Sequence, residues 1–155
     1  MKVSIKFALV VAAALFCATF AVSEEKKINR SDLPPAVEKT VASQSEGAII
    51  RGFTQEKENG QTFYEAEMMV NGHTKDVRID SNGGIAEVEE EVTMESLPGV
   101  VKDGLQAKAG KGKLAKVESL TRRDKLVAYE AVVQKNGKKS EIQVGPDGKP
   151  LDHEE

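Results

Sequence analysis

Tyr64-Glu65-Ala66-Glu67-Met68-Met69-Val70-Asn71-Gly72 is the stretch on which the fold turns. Tyr64, Ala66, Met68 and Val70 alternate with Glu65, Glu67 and Met69, the two-residue period of a strand covered on one face. Asn71-Gly72 then supplies the preferred two-residue hairpin turn, since both positions tolerate positive φ. A return strand over residues 75–80 follows, with Val77 and Ile79 pointing inward.

The same order recurs downstream. Tyr129-Glu130-Ala131, Asn136-Gly137, Gly148 and Glu154-Glu155 lie 65 residues after Tyr64-Glu65-Ala66, Asn71-Gly72, Gly83 and Glu89-Glu90, and Leu97-Pro98 lies 64 after Leu33-Pro34. Such a constant register argues for duplication. The two units span residues 33–92 and 97–155, joined by residues 93–96.

Working outward, each unit opens on a helix signal. Pro34 and Pro98 suit a first helical turn, with Ser31, Asp32 or Ser96 upstream as candidate caps. Leu33, Val37 and Val41, and likewise Leu97, Val101 and Leu105, fall four apart and form one apolar stripe each, predicting helices that end near Ser45 and Ala109. Strands are expected at residues 48–55 and 113–120 before the hairpins, and at 84–91 and, shorter, 149–153 after them. The expected fold is α+β: two tandem repeats, each one helix followed by a four-stranded antiparallel meander. Units of about 60 residues are marginal alone, so the two are expected to pack as one pseudo-symmetric body.

The first 23 residues read as an address. Lys2 and Lys6 precede the apolar run 7–22, which is 16 residues long where a spanning helix needs about 20. Ala21 and Ser23 have peptidase spacing, placing cleavage between Ser23 and Glu24 and leaving residues 24–32 as a polar lead-in. Cys17 follows bulky Phe16, where a lipobox wants a small residue. Cleavage removes 23 of 155 residues, including the single cysteine, Lys2 and Lys6, so the formal charge moves from −3 to −5. A cysteine-free chain suits an oxidising envelope or extracellular space and holds no thiol chemistry. No membrane association is expected after cleavage, and the acidic balance excludes a globally cationic nucleic-acid binder.

Catalytic parts are missing. A serine nucleophile would need His73, beside a hairpin turn, or His153, in the tail. Glu65 and Glu67 share a strand face, but alternating glutamates opposite apolar residues are also what a half-solvated strand looks like. The segment from Asp80 to Glu91 imitates the ends of an EF-hand loop, yet Gly84 and Ile85 stand where an oxygen ligand and the turn glycine belong. Around Gly112-Lys113 the glycine and hydroxyl pattern of a phosphate loop is absent. Neither a metal nor a cofactor is expected.

The Leu-Pro-x-x-Val helix start, the Tyr-Glu-Ala strand, the Asn-Gly hairpin and the closing glycine turn, twice over, resemble the PepSY-like domains of exported bacterial proteins. The tandem arrangement is similar to the β-lactamase-inhibitor-like PepSY group and covers nearly all of the chain after residue 23. The resemblance implies a helix on an antiparallel sheet, an envelope or secreted location and non-catalytic binding to other proteins, with peptidase inhibition among the proposed roles.

Charge separates the two units. Residues 33–95 hold 5 basic and 13 acidic side chains, and residues 96–155 hold 12 and 9. With helices over the face bearing Tyr64 and Ala66, the opposite face carries Glu65, Glu67, Met69, Arg78, Glu130, Val132, Gln134 and Gln143. That face is the candidate docking surface for a protein partner. The expected function is an exported non-catalytic protein-binding module that modulates or inhibits a peptidase or another envelope or secreted protein. The alternative is a periplasmic cation or small-ligand binder using the acidic first unit. The run Glu87, Glu89, Glu90 and Glu91 by itself reads as a charged, pairing-resistant edge strand.

Overall fold

The computed structural model describes residues 24–153, so the expected signal peptide, residues 1–23, lies outside the described residues. The chain forms strand β1 (Glu24–Ile28), helix α1 (Pro35–Gln44) and strands β2 (Ile49–Glu58), β3 (Gln61–Val70), β4 (His73–Asp80) and β5 (Ile85–Glu91). Helix α2 (Gly99–Ala109) and strands β6 (Lys113–Arg122), β7 (Lys125–Lys135) and β8 (Lys138–Val144) follow. A 3-10 turn precedes each helix, at Arg30–Asp32 and Met94–Ser96.

All eight strands form one antiparallel sheet in chain order. This corrects the expectation of two helix-plus-four-strand repeats, and three features of the chain explain it. The polar segment 24–28 pairs with β2 instead of leading in as a loop, with Ile28 opposite Phe53. Strand β5 pairs with both β4 and β6, so the glutamate run is interior rather than an edge. Residues 149–153 form no strand. The turn closes as its earlier counterpart does, Gly145 N–H donating to Lys149 O at 2.8 Å as Asp80 N–H does to Gly84 O at 2.8 Å. But Pro150 then stands where Ile85 begins β5, and proline has no N–H for the ladder. The element order that occurs twice is therefore strand, 3-10 turn, helix and three strands.

Both helices cover one face. Leu33, Val37 and Val41 pack on Phe53, Ala66, Met68, Val77 and Ile79, while Leu97, Val101 and Leu105 pack on Val117, Ala131 and Val144. Neither helix uses the hydroxyl or carboxylate caps expected upstream. Pro34 and Pro98 occupy the N-cap positions in extended conformation, and the polar residues cap the 3-10 turns, where Asp32 accepts from Asn29 N–H at 2.9 Å and Thr93 from Ser96 N–H at 3.3 Å. The glycine turns explain the docking of helix on sheet. A Cβ on Gly83 would lie 2.6 Å from Ala36 O, and one on Gly148 would collide with Val100 O, at φ values of +86° and +77°. In both halves the turn after the third hairpin strand sits against helix backbone, and only glycine fits.

Candidate functional site

Among the described residues no helix or strand covers the sheet face opposite the helices. Register places Thr54, Glu65, Arg78 and Glu87 in one row across β2 to β5, and Glu67, Asp76 and Glu89 in the next. Glu118, Glu130 and Gln143 continue the face across β6 to β8. Thr54, Glu118, Leu120, Ala128 and Gln143 are nevertheless buried there. Side chains of neighbouring strands must close over them, as happens on the concave side of a strongly twisted sheet. The carboxylates of Asp76, Glu89 and Glu118, on three successive strands, converge to within 4.8 Å of one another.

Convergence of like charges in a half-dry place is costly, and it raises the pKa of Glu65, Asp76 and Glu89. Glu65 is pushed up to about 7 by burial, then by Asp76 and Glu67. Glu89 is likewise pushed up to about 7 by burial, then by Glu118 and Glu87. Asp76 is raised by burial and Glu118, against the pull of Lys116. Lys116, whose Nζ lies 2.6 Å from Glu118 Oε1, is the cation beside this cluster. Glu91 goes the other way: the backbone N–H and then the hydroxyl of Thr74 stabilise its charged form.

Arginines border the acidic centre. Arg78 stacks 4.0 Å over the Phe63 ring and bridges Glu56 and Glu58, while Arg122 pairs with Glu87. A hollow of about 20 Å³, roughly one water in size, lies among Glu65, Asp76, Arg78, Glu87 and Glu89. A cleft of about 710 Å³ opens at the neighbouring end of the sheet, where Phe63, Arg78, Asp80, Glu87, Arg122 and Arg123 meet.

The eight residues expected on this face all lie on it, but they do not form one group. Glu65 opposite Arg78 belongs to β3 and β4, Glu130 opposite Gln143 to β7 and β8, and β5 and β6 intervene. Gln143 is buried and donates to Glu130 at 2.8 Å, and Arg78 is held by its two glutamates, so both shape the face from within. Met69 and Val132 are half-buried, and Gln134 is exposed near the last hairpin. The centre of the site, Asp76, Glu89 and Glu118, was missed. Asp76 was legible as the residue between Lys75 and inward Val77; Glu89 and Glu118 were hidden by the reading of β5 as an edge. Glu67 does not line the cleft, and Glu65 lines only the small hollow, so the pair expected to mimic a two-carboxylate centre is not gathered in a substrate-sized space.

Comparison of the architecture with solved structures finds several with the same arrangement. A DUF2874 family protein of Bacteroides ovatus superimposes with a TM-score of 0.60 at 19% identity, over 77% of this chain and 84% of that one. A BLIP-like protein of Bacteroides fragilis gives 0.57 at 20% identity, over 77% and 83%. The fold is BLIP-like. A Bacteroides eggerthii protein whose description proposes a periplasmic location gives 0.63 at 18% identity, over 77% and 86%. At these identities the likeness is one of fold. No family model matches the sequence and no curated protein matches it, so the PepSY likeness rests on the motifs alone. Among the described residues no helix is long and apolar enough to cross a membrane.

Proposed function

We propose that the chain is an exported, non-catalytic protein-binding module that docks a basic segment of its partner on the concave face of the sheet. The observation that carries this reading is the acidic centre. Glu65 and Glu89 are held near pH 7 by burial and by each other's neighbours, and a lysine or arginine entering the face would relieve that repulsion. Met69 and Val132 add apolar contact on either side of the carboxylates. A partner seated here would be modulated or inhibited sterically, and a peptidase or another envelope protein fits the signal-peptide pattern and the periplasmic description of a structural neighbour. The test is a pair of affinity columns run with envelope extract, one bearing wild type and one bearing Glu65→Lys with Glu89→Lys. A protein retained by the first and lost from the second, with an association rate that falls as salt rises, supports the reading. Equal retention on both columns, or loss only on changing Lys111, Lys113 and Arg123, moves the interface to the basic half and overturns it.

A second reading, divalent-cation binding, rests on the convergence of Asp76, Glu89 and Glu118. Lys116 already lies 2.6 Å from Glu118, so an ion would have to displace its ammonium. Calorimetry with calcium decides it: no heat and no change in Tm removes this reading.

A further inference from the structure

The sheet stops one strand short of its own pattern. In the first half, the outer edge of β4 is covered by β5, with Lys75 opposite Glu90, Asp76 opposite Glu89 and Val77 opposite Val88. Strand β8 stands in the second half where β4 stands in the first, since Val77 pairs with Ala66 as Ile142 pairs with Ala131. Among the described residues no strand pairs with its outer edge. Residues 138–141 are exposed, and Pro150 keeps the following segment from filling the position.

We propose that the outer edge of β8 accepts an extended acidic strand from a partner protein, seated as β5 is seated on β4. Main-chain groups of β8 supply the hydrogen bonds, and side chains set the choice of strand. Carried over by the 65-residue register, the seat of Glu91 falls opposite Lys139, the seat of Glu90 opposite Ser140 and the seat of Val88 opposite Ile142. The seat of Glu89 falls opposite Glu141, so the incoming strand is acidic beside Lys139, uncharged beside Glu141 and apolar beside Ile142. That apolar residue would flank the second core as Val88 flanks the first. A second copy of this chain is a poor occupant. Its β1 is the element that corresponds to β5, because Lys27 pairs with Thr54 as Glu91 pairs with Glu118. Set on β8, it would place Lys27 opposite Lys139, a like-charge pair where the favoured strand carries an acidic residue, and this opposes sheet growth between copies.

The test uses the full isotope-labelled chain and a synthetic peptide with the sequence of residues 84–92 carrying Glu89→Gln, since that stretch already pairs with β4 and the glutamine avoids a like charge opposite Glu141. Amide shifts and slowed hydrogen exchange confined to residues 138–142 are expected, with binding weakened about three- to fivefold by Lys139→Glu and lost when the peptide carries proline in place of Val88. Absence of protection in β8, protection at β1 instead, indifference to Lys139→Glu, or equal binding of a peptide with the sequence of residues 24–28 would each overturn the proposal. Lys139 shares the concave face with Gln134, so the two tests are separated by the backbone readout: Glu65→Lys with Glu89→Lys should leave the peptide's protection of β8 amides unchanged, whereas proline in the peptide should abolish it.

Discussion

The half built on α1 and the half built on α2 share one element order and differ in what surrounds them. Three hairpin strands of the first half, β2 to β4, are flanked on both sides, by β1 and β5, and its core of Leu33, Val37, Val41, Phe53, Ala66, Met68, Val77 and Ile79 has Ile85 and Val88 packed against it. The second half has β5 on one side and an open edge on the other, with a smaller core of Leu97, Val101, Leu105, Val117, Ala131 and Val144. Their inward residues correspond in type, whereas their concave faces do not. Glu65, Asp76 and Arg78 of the first half correspond to Glu130, Glu141 and Gln143 of the second, and Leu120 and Ala128 replace Glu56 and Phe63. Packing against a helix restrains what a position can hold, while an uncovered face diverges with little effect on stability.

The sharpest way to break this comparison is to cut a core. Leu105, fully buried on the inner face of α2, should cost about 3 kcal/mol on change to alanine, and Val41, its counterpart on α1, less because one fewer carbon is removed. Urea unfolding followed by two probes checks this, and a single shared transition is expected because β5 belongs to both halves. A separate early transition in Leu105→Ala would show that the halves are independent bodies.

Next in size are the turn glycines. Gly148→Ala and Gly83→Ala each force a Cβ into helix backbone at positive φ and should cost about 2 kcal/mol, whereas Gly47→Ala, with φ of +75° and open space around it, should cost about 1 kcal/mol. Thermal melts of the three variants order them, and a Gly47 variant as weak as the others would mean that strain rather than contact explains the turns.

Protonation separates the halves more gently. Glu65 and Glu89 have folded-state pKa values raised above their unfolded ones, so their stabilising contribution is full below about pH 4.5 and is lost as pH rises through about 7. Wild type should lose stability between pH 5 and pH 8, about 1 kcal/mol for each group after allowance for solvent screening. Glu89→Gln should recover its share at pH 8 and change nothing at pH 4. A melting temperature that rises with pH over that range would contradict the burial assigned to both glutamates.

Smallest are the ties between the 3-10 turns and the helices. The first half uses an exposed Arg30–Glu38 pair at 2.7 Å, and the second uses Lys102 donating to Glu95 O at 3.2 Å. Arg30→Ala and Lys102→Ala should each change stability by less than about 0.5 kcal/mol in a chemical melt. A larger loss in one alone would show that its helix is anchored through this contact.

Much of the architecture was legible because it is written locally. Four-residue spacing of Leu33, Val37 and Val41 and two-residue alternation around Tyr64 and Tyr129 report which side of an element meets a core, and Asn-Gly at 71–72 and 136–137 reports a turn through its need for positive φ. Those signals placed both helices, the six hairpin strands and the eight residues expected on the concave face. What they could not report is which strand lies beside which. Strand β1 contains one inward apolar residue, Ile28, and reads as a polar loop because an edge strand has little to bury. Strand β5 reads as an edge because its glutamates look unpaired until β6, some twenty residues away in the chain, is laid against it. The acidic centre depends on that pairing: Asp76, Glu89 and Glu118 become neighbours only when β4, β5 and β6 lie side by side. Side-chain alternation is settled by each strand's own residues, but adjacency is settled by a competition among edges for backbone partners. Pro150 keeps residues 149–153 out of that competition while β5 takes both β4 and β6 as partners, and only the assembled sheet reveals it.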